Sequence, residues 1–195
     1  MNKVKVGVSI GDINGIGMEI ILKTFKDNRM LDFCTPVIFG SSTISSLHRK
    51  KLDLQDFNFH TINSIKDINI KKTNLLNCWN EDVEINFGEA TENSGKYAFE
   101  SIKLACNALK KGEIDVLVTA PINKSSIKEK ISDFIGHTEF LQGNFEGKSL
   151  MIMLSEIMKI ACVTGHIPLN QVTSQISSTK IIEKARTIGV IGGMN

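Results

Sequence analysis

The chain is poor in the features that mark several protein classes. Its three prolines are too few for a Pro-rich linker, and no repeat or low-complexity tract interrupts its 195 residues. No window approaches the ~20 apolar residues of a membrane span. The N-terminal MNKVKVGVSIGD carries lysines, but its apolar stretch is short and is broken by Gly11 and Asp12, so it is not a signal peptide. Neither sign of charge dominates: 23 basic against 21 acidic side chains leave +2, which gives no long-range field for nucleic acid or anionic lipid. The four cysteines, Cys34, Cys78, Cys106 and Cys162, form no C-x-x-C pair and lie in or beside apolar stretches. They read as free thiols of a reducing compartment, and the expected location is the cytoplasm.

The composition that remains is that of a globular chain, 42% hydrophobic and 23% charged. A body of this size buries roughly 70% of its unfolded surface and needs no disulfide staple. Strand-like and helix-like stretches alternate along it. Val4, Val6, Val8 and Ile10 alternate with Lys3, Lys5, Gly7 and Ser9, which predicts a strand. The turn GDINGIG (Gly11–Gly17) follows, and then Met18, Ile21, Leu22 and Phe25 fall on one face of a helix. Pro36–Gly40 is a second apolar run, with Ser41 and Ser42 as caps for a helix through Leu47. Phe57–Ile62 and Asn74–Trp79 are candidate strands.

Asn93 or Ser94 is the expected cap of a helix whose Ala98, Ile102, Ala105, Cys106 and Leu109 share a face, with Gly112 as its stop. Asp115–Ala120 is a nearly continuous apolar run, as for a strand covered on both faces. Lys148–Leu154 and Met158–Thr164 are joined by a link short enough for an antiparallel pair. Ser177 or Ser178 caps a last helix carrying Ile181, Ile182, Ala185 and Ile188. The sum is an α/β protein with a mainly parallel sheet. The final TIGVIGGMN, with three glycines in nine residues and no charge, reads as an interrupted chain rather than a domain end.

Sites in open α/β sheets lie beyond the carboxyl ends of strands, and four such ends carry unusual residues. GDINGIG could cradle an anion at the helix N-terminus, but its spacing is G-x-x-x-G-x-G, so a tight packing turn fits equally. In TAPINK (Thr119–Lys124), Lys124 could meet a phosphate or carboxylate as a point charge, or stand as a solvated lysine. GHTEF (Gly136–Phe140) places His137 beside Thr138, with Thr138 also readable as a helix N-cap. TGHIPL (Thr164–Leu169) puts His166 after a strand, where a neutral imidazole could bind metal given about three ligands in all. His48, within HRKK, and His60, within an alternating strand, carry no such signal.

These four segments, in this order, resemble the 4-hydroxythreonine-4-phosphate dehydrogenase family of the pyridoxal-phosphate pathway, its N-terminal portion. GDINGIG is similar to the family's GDPAGIGPE, and the later segments to its Pro…Lys turn, G-H-T-E-F and T-H-x-P-L motifs. Gly95–Ile102 (GKYAFESI) resembles the helix start that precedes the family's buried strand. The similarity runs to about Ala185. Ile13 and Met18 stand where the family has prolines, and Gly165 where a threonine is common.

The resemblance implies a fold of the isocitrate/isopropylmalate-dehydrogenase type, truncated at the C-terminus: an N-terminal α/β lobe over residues 1–133 and the start of a second over 134–195. It implies a cytoplasmic homodimeric oxidoreductase that uses NAD and a divalent metal (zinc, magnesium or cobalt). The expected reaction oxidises and decarboxylates 4-phosphooxy-L-threonine, a small phosphorylated hydroxy-amino acid, to 3-amino-2-oxopropyl phosphate. His137 and Thr138 match the substrate-binding pair and His166 matches one of three metal-binding histidines; no catalytic residue is assigned. Family members run well beyond residue 195, and that remainder holds the other two metal histidines, further phosphate ligands and most of the NAD pocket. The 195 residues alone are therefore expected to be inactive. Two alternatives stand beside this reading: a relative acting on threonate or erythronate phosphates or a cyclic diol, and a non-catalytic truncated binding protein. Neither nucleic acid nor membrane is an expected partner.

Overall fold

A computed structural model describes residues 3–165 and 167–192. The strands are β1 (Val4–Ser9), β2 (Cys34–Gly40), β3 (His60–Ile62), β4 (Asn74–Asn77), β5 (Val116–Thr119), β6 (Ile152–Leu154) and β7 (Lys159–Ala161). The helices are α1 (Gly17–Phe25), α2 (Met30–Phe33), α3 (Ser42–Lys51), α4 (Glu92–Lys110), α5 (Lys124–Lys128), α6 (His137–Asn144), α7 (Leu169–Gln175) and α8 (Ser178–Gly192). One compact unit runs to Phe145 and a second begins at Glu146.

The first unit is built on an all-parallel sheet of order β3-β4-β2-β1-β5. Val6 lies opposite Pro36 on one side and Val116 on the other, so β1 is central. The face expected for α1 is the one that packs: Met18, Ile21, Leu22 and Phe25 are buried together with Ile10, Ile13 and Ile38. Each such side chain contributes ~1.5–3 kcal/mol by leaving water. Behind the sheet, Ala105 and Ala108 of α4 meet Val37, Phe39 and Ile114. Gly112 ends α4 at φ 68°, the left-handed conformation for which glycine is favoured.

Several local expectations are corrected. The cap of α4 is Thr91, not Asn93 or Ser94: its side chain accepts from Ser94 N–H while the Ser94 hydroxyl accepts from Thr91 N–H. Thr91 is extended, and the reciprocal pair satisfies two donors that a later start would strand. Ser41 precedes α3 but does not cap it through its side chain; the Ser42 N–H donates to Asn77 Oδ1 at 3.0 Å instead. The helix continues past Leu47 to Lys51, its last turn basic in keeping with the helix dipole. Phe57 and Phe59 lie outside β3, packed edge to face on the core. The apolar run of β5 does not lie in the middle of the sheet. It pairs only with β1 among the described residues and leaves Val116 and Val118 43% and 52% exposed. Beside that edge, Val6, Val8, Ile21, Phe25 and Val118 help line an apolar groove of about 400 Å³.

In the second unit β6 and β7 form the expected antiparallel pair, Ile152 opposite Ala161 and Leu154 opposite Lys159, though each strand is only three residues long. The Ser177 hydroxyl accepts from Lys180 N–H at the start of α8. The four cysteines are free, Cys106 buried and the others half-buried. Among the described residues no helix is long and apolar enough to cross a membrane.

Candidate functional site

The carboxyl ends of β1 and β5 are bound into one platform. Gly11 has φ 69°, and a Cβ there would collide with the Pro121 carbonyl. Glycine is therefore required twice over, by conformation and by space. The close approach lets Asp12 N–H donate to Pro121 O at 2.9 Å, while Ala120 N–H donates to Ser9 O. From below, the buried Ser101 hydroxyl of α4 accepts from Ile10 N–H and donates to Phe39 O, joining β1 to β2 just where both strands end.

The Gly11–Gly17 loop resolves the choice between anion cradle and packing turn toward the turn. Its N–H groups at Asp12, Asn14 and Gly15 are taken by Pro121 O, Asp12 Oδ1 and Asp12 O. Asn14 is 3% exposed. Its amide donates to Glu89 O and Thr91 Oγ1, and its Oδ1 accepts from Asn86 N–H. The side chain thus ties the loop to the cap of α4. His48, unremarkable in the sequence, is buried beneath the same loop and bonds Ile13 O at 2.7 Å through Nε2, which must carry the proton. Burial pushes its pKa down, opposed by that bond and by the charge of Glu19. Asn14, His48 and Ser101 were missed because a lone polar residue carries no periodic signal. Only the asparagine's place inside a glycine-rich turn could have raised it.

Lys124 opens α5. The helix is held by the Asn123 side chain, which accepts from Ser125 and Ser126 N–H. It is held also by α4, which approaches so closely that a Cβ on Gly95 would collide with the Ser126 carbonyl. His137 opens α6, anchored through Phe140 against Phe99 and Phe134 with ring centroids 5.4 and 6.2 Å away. Gly136, not Thr138, is the N-cap residue of α6, so the cap reading of Thr138 is overturned: its exposed hydroxyl lies one residue inside the helix. His137 is half-buried, and its Nε2 is buried without a hydrogen-bond partner. Burial first, and the Lys124 charge second, hold its pKa below the ordinary imidazole value, which favours the neutral ring.

The structure thus brings Lys124 and His137 together, with Thr138 beside them. His166 lies outside the described residues. Among those described, no three His, Cys, Asp or Glu side chains cluster as metal ligands would.

Residues 32–190 match the family described as pyridoxal phosphate biosynthetic protein PdxA. The 4-hydroxythreonine-4-phosphate dehydrogenase of Bacteroides thetaiotaomicron is 40% identical over 186 residues, covering 94% of this chain and 50% of that protein. That of Sulfurihydrogenibium is 35% identical over 189 residues, covering 95% of this chain and 56% of that protein. The crystal structure of a 4-hydroxythreonine-4-phosphate dehydrogenase from Burkholderia phymatum superposes with a TM-score of 0.83 at 19% identity. The overlap covers 95% of this chain and 57% of that one, and it shows the shared α/β fold. The chain spans about half the length of the curated relatives it matches.

Proposed function

The chain belongs to the PdxA family, and from that premise we propose that it is the N-terminal portion of an NAD-dependent dehydrogenase acting on 4-phosphooxy-L-threonine. The reaction takes a hydride from the carbinol carbon to NAD and a proton from its hydroxyl. The resulting β-keto acid then loses carbon dioxide to give 3-amino-2-oxopropyl phosphate. The observation that carries this reading is the 40% identity to a 4-hydroxythreonine-4-phosphate dehydrogenase across nearly the whole chain.

In this reading His137 and Thr138 bind substrate. A neutral imidazole and a free hydroxyl can each donate or accept, which suits hydroxyl, phosphate and carboxylate groups alike. The loops after β1 and β5 are tied to each other and to the segment before α4, and Lys124, just past the second loop, lies beside His137. His166 is the proposed ligand of a divalent metal (zinc, magnesium or cobalt). The described residues do not complete a metal site, so no step is assigned to the ion. Residues 1–133 are read as an incomplete N-terminal lobe and 134–195 as the start of a second lobe of a cytoplasmic homodimer.

The test extends the protein to the full length of its relatives and follows NADH formation with 4-phosphooxy-L-threonine and each metal. Turnover there, and none from the 195 residues alone, is the expected result. Turnover with D-threonate 4-phosphate in place of the amino acid would move the substrate assignment to the hydroxy-acid relatives. No oxidation of any such phosphate, with NAD or NADP, would overturn the reading.

A further inference from the structure

Lysine on a solvated surface extends its ammonium into water, or meets a carboxylate at modest gain. Several lysines of this chain do the latter: Lys130 pairs with Glu92 at 2.5 Å and Lys96 with Glu81 at 3.1 Å. Lys124, also exposed, meets no carboxylate among the described residues. Its stem folds back over the turn before α6, so that Nζ and Cε lie 3.2 and 3.3 Å from the point a Cβ on Gly136 would occupy. Any side chain at 136 would press on both the Glu139 carboxylate and the ammonium, and the absence of one lets the lysine charge rest directly before His137. Glu139 Oε2 lies 3.0 Å from the same point, yet it forms no ion pair with Lys124, and no other hydrogen bond or ion pair engages that lysine among the described residues.

The groups that meet here are therefore an unpaired cation, an imidazole held toward its neutral form whose Nε2 has no protein partner, the exposed Thr138, and the Glu139 carboxylate on the far side of the turn. The backbone under the lysine is held in place, since Asn123 caps α5 and Gly95 admits the Ser126 carbonyl. We infer that Lys124 is a substrate-contacting residue, holding the phosphate or carboxylate of a small phosphorylated hydroxy acid beside His137. This rests on the dehydrogenase reading above for the identity of the ligand, and on the geometry for the site.

Phosphate has the charge and the acceptor oxygens to meet ammonium, imidazole N–H and hydroxyl together. The lysine then sets where the anion sits, and Gly136 keeps that position open. Glu139 comes near the same point but makes no ion pair with the ammonium, so the charge of Lys124 is left without a direct protein partner.

The experiment uses the chain as it stands, with inorganic phosphate and acetate as separate probes and the His137 ring resonances as the readout. Phosphate should shift those resonances saturably and raise the His137 pKa, and acetate should do so only if carboxylate is the favoured anion. Lys124→Met should weaken the response by about tenfold or more, the usual worth of a hydrogen bond to a charged group. It should also raise the His137 pKa measured without anion. Lys124→Arg should restore most of the binding, and Glu139→Gln should leave it intact or tighten it. Gly136→Ala, which keeps every charge but displaces the ammonium, should weaken phosphate binding and so serves as a second variant if Lys124→Met folds poorly. A wild-type chain blind to both anions would overturn the inference, as would equal phosphate binding by wild type, Lys124→Met and Gly136→Ala. Either result leaves the turnover assay of the longer protein to decide the dehydrogenase reading by itself.

Discussion

The two units of the chain are similar in apolar content and opposite in what they do with it. The first buries Ile10, Met18, Leu22, Ile38, Phe39 and Ile102 almost completely around a five-stranded sheet. The second contains no fully buried side chain among its described residues. Its Met153, Leu154 and Met158 are mostly exposed, Ile181 is nearly half exposed, and Ile157 is 94% exposed. Apolar residues make a core only where layers exist to close over both sides of them, and a two-stranded ribbon of three-residue strands is marginal by itself. The lesson is that hydrophobic patterning locates elements but does not count the layers that cover them.

Hydrogen exchange would separate the units most widely. Amides of β1, β2 and the middle of α4 should exchange only through global opening, on the order of 5 kcal/mol or more, while those of β6 and β7 should exchange almost freely. Uniform protection from β1 through α8 would break the comparison. Core truncations come next. Leu22→Ala should cost roughly 2–5 kcal/mol in denaturant unfolding, because the side chain is fully buried on the inner face of α1. Ile157→Ala should stay within about 0.5 kcal/mol. Equal losses at the two positions would mean that the second unit has a core after all.

A smaller effect is expected from pH, and only in the first unit. Burial lowers the His48 pKa below its ordinary 6.5. A group depressed in the folded state contributes stability that is fully present above the unfolded value. That stability is lost as the pH falls below it and through the folded pKa, because the unfolded chain takes up the proton first. His137 acts with the same sign. Thermal melting of the first unit should therefore drop on acidification from about pH 7 to about pH 5. His48→Gln should flatten that dependence, and an unchanged slope would remove His48 from the account. The smallest effect sharpens the contrast from the other side. Lys148 pairs with Glu183 at 2.7 Å in the second unit, but the pair is solvent-exposed and screened. Lys148→Met should leave the melting profile and the exchange pattern unchanged.

Much of the first unit was legible in advance because its signals are local. The alternation of Val4 to Ile10, the face from Met18 to Phe25 and the stop at Gly112 each follow from a backbone period or a backbone angle. The antiparallel link between β6 and β7 followed from its length. The candidate site was legible in part. The segments that hold Lys124, His137 and Thr138 stood out as polar residues just past apolar runs or beside turns. The capping role considered for Thr138 did not hold, because one residue decides where a helix begins and Gly136 took that place.

What the sequence determined by itself is the order and type of most elements and the segments where chemistry gathers, since those depend on neighbours a few residues apart. Tertiary structure alone decided the rest. It put β5 at an edge, although its run of apolar residues is the same at an edge as at a centre. It placed His48 under a loop 35 residues away and Asn14 against a turn more than 70 residues on. It also laid the Lys124 ammonium in the space that Gly136 leaves open. Each of these depends on which surfaces meet after the chain has folded, and no period along the sequence encodes that meeting.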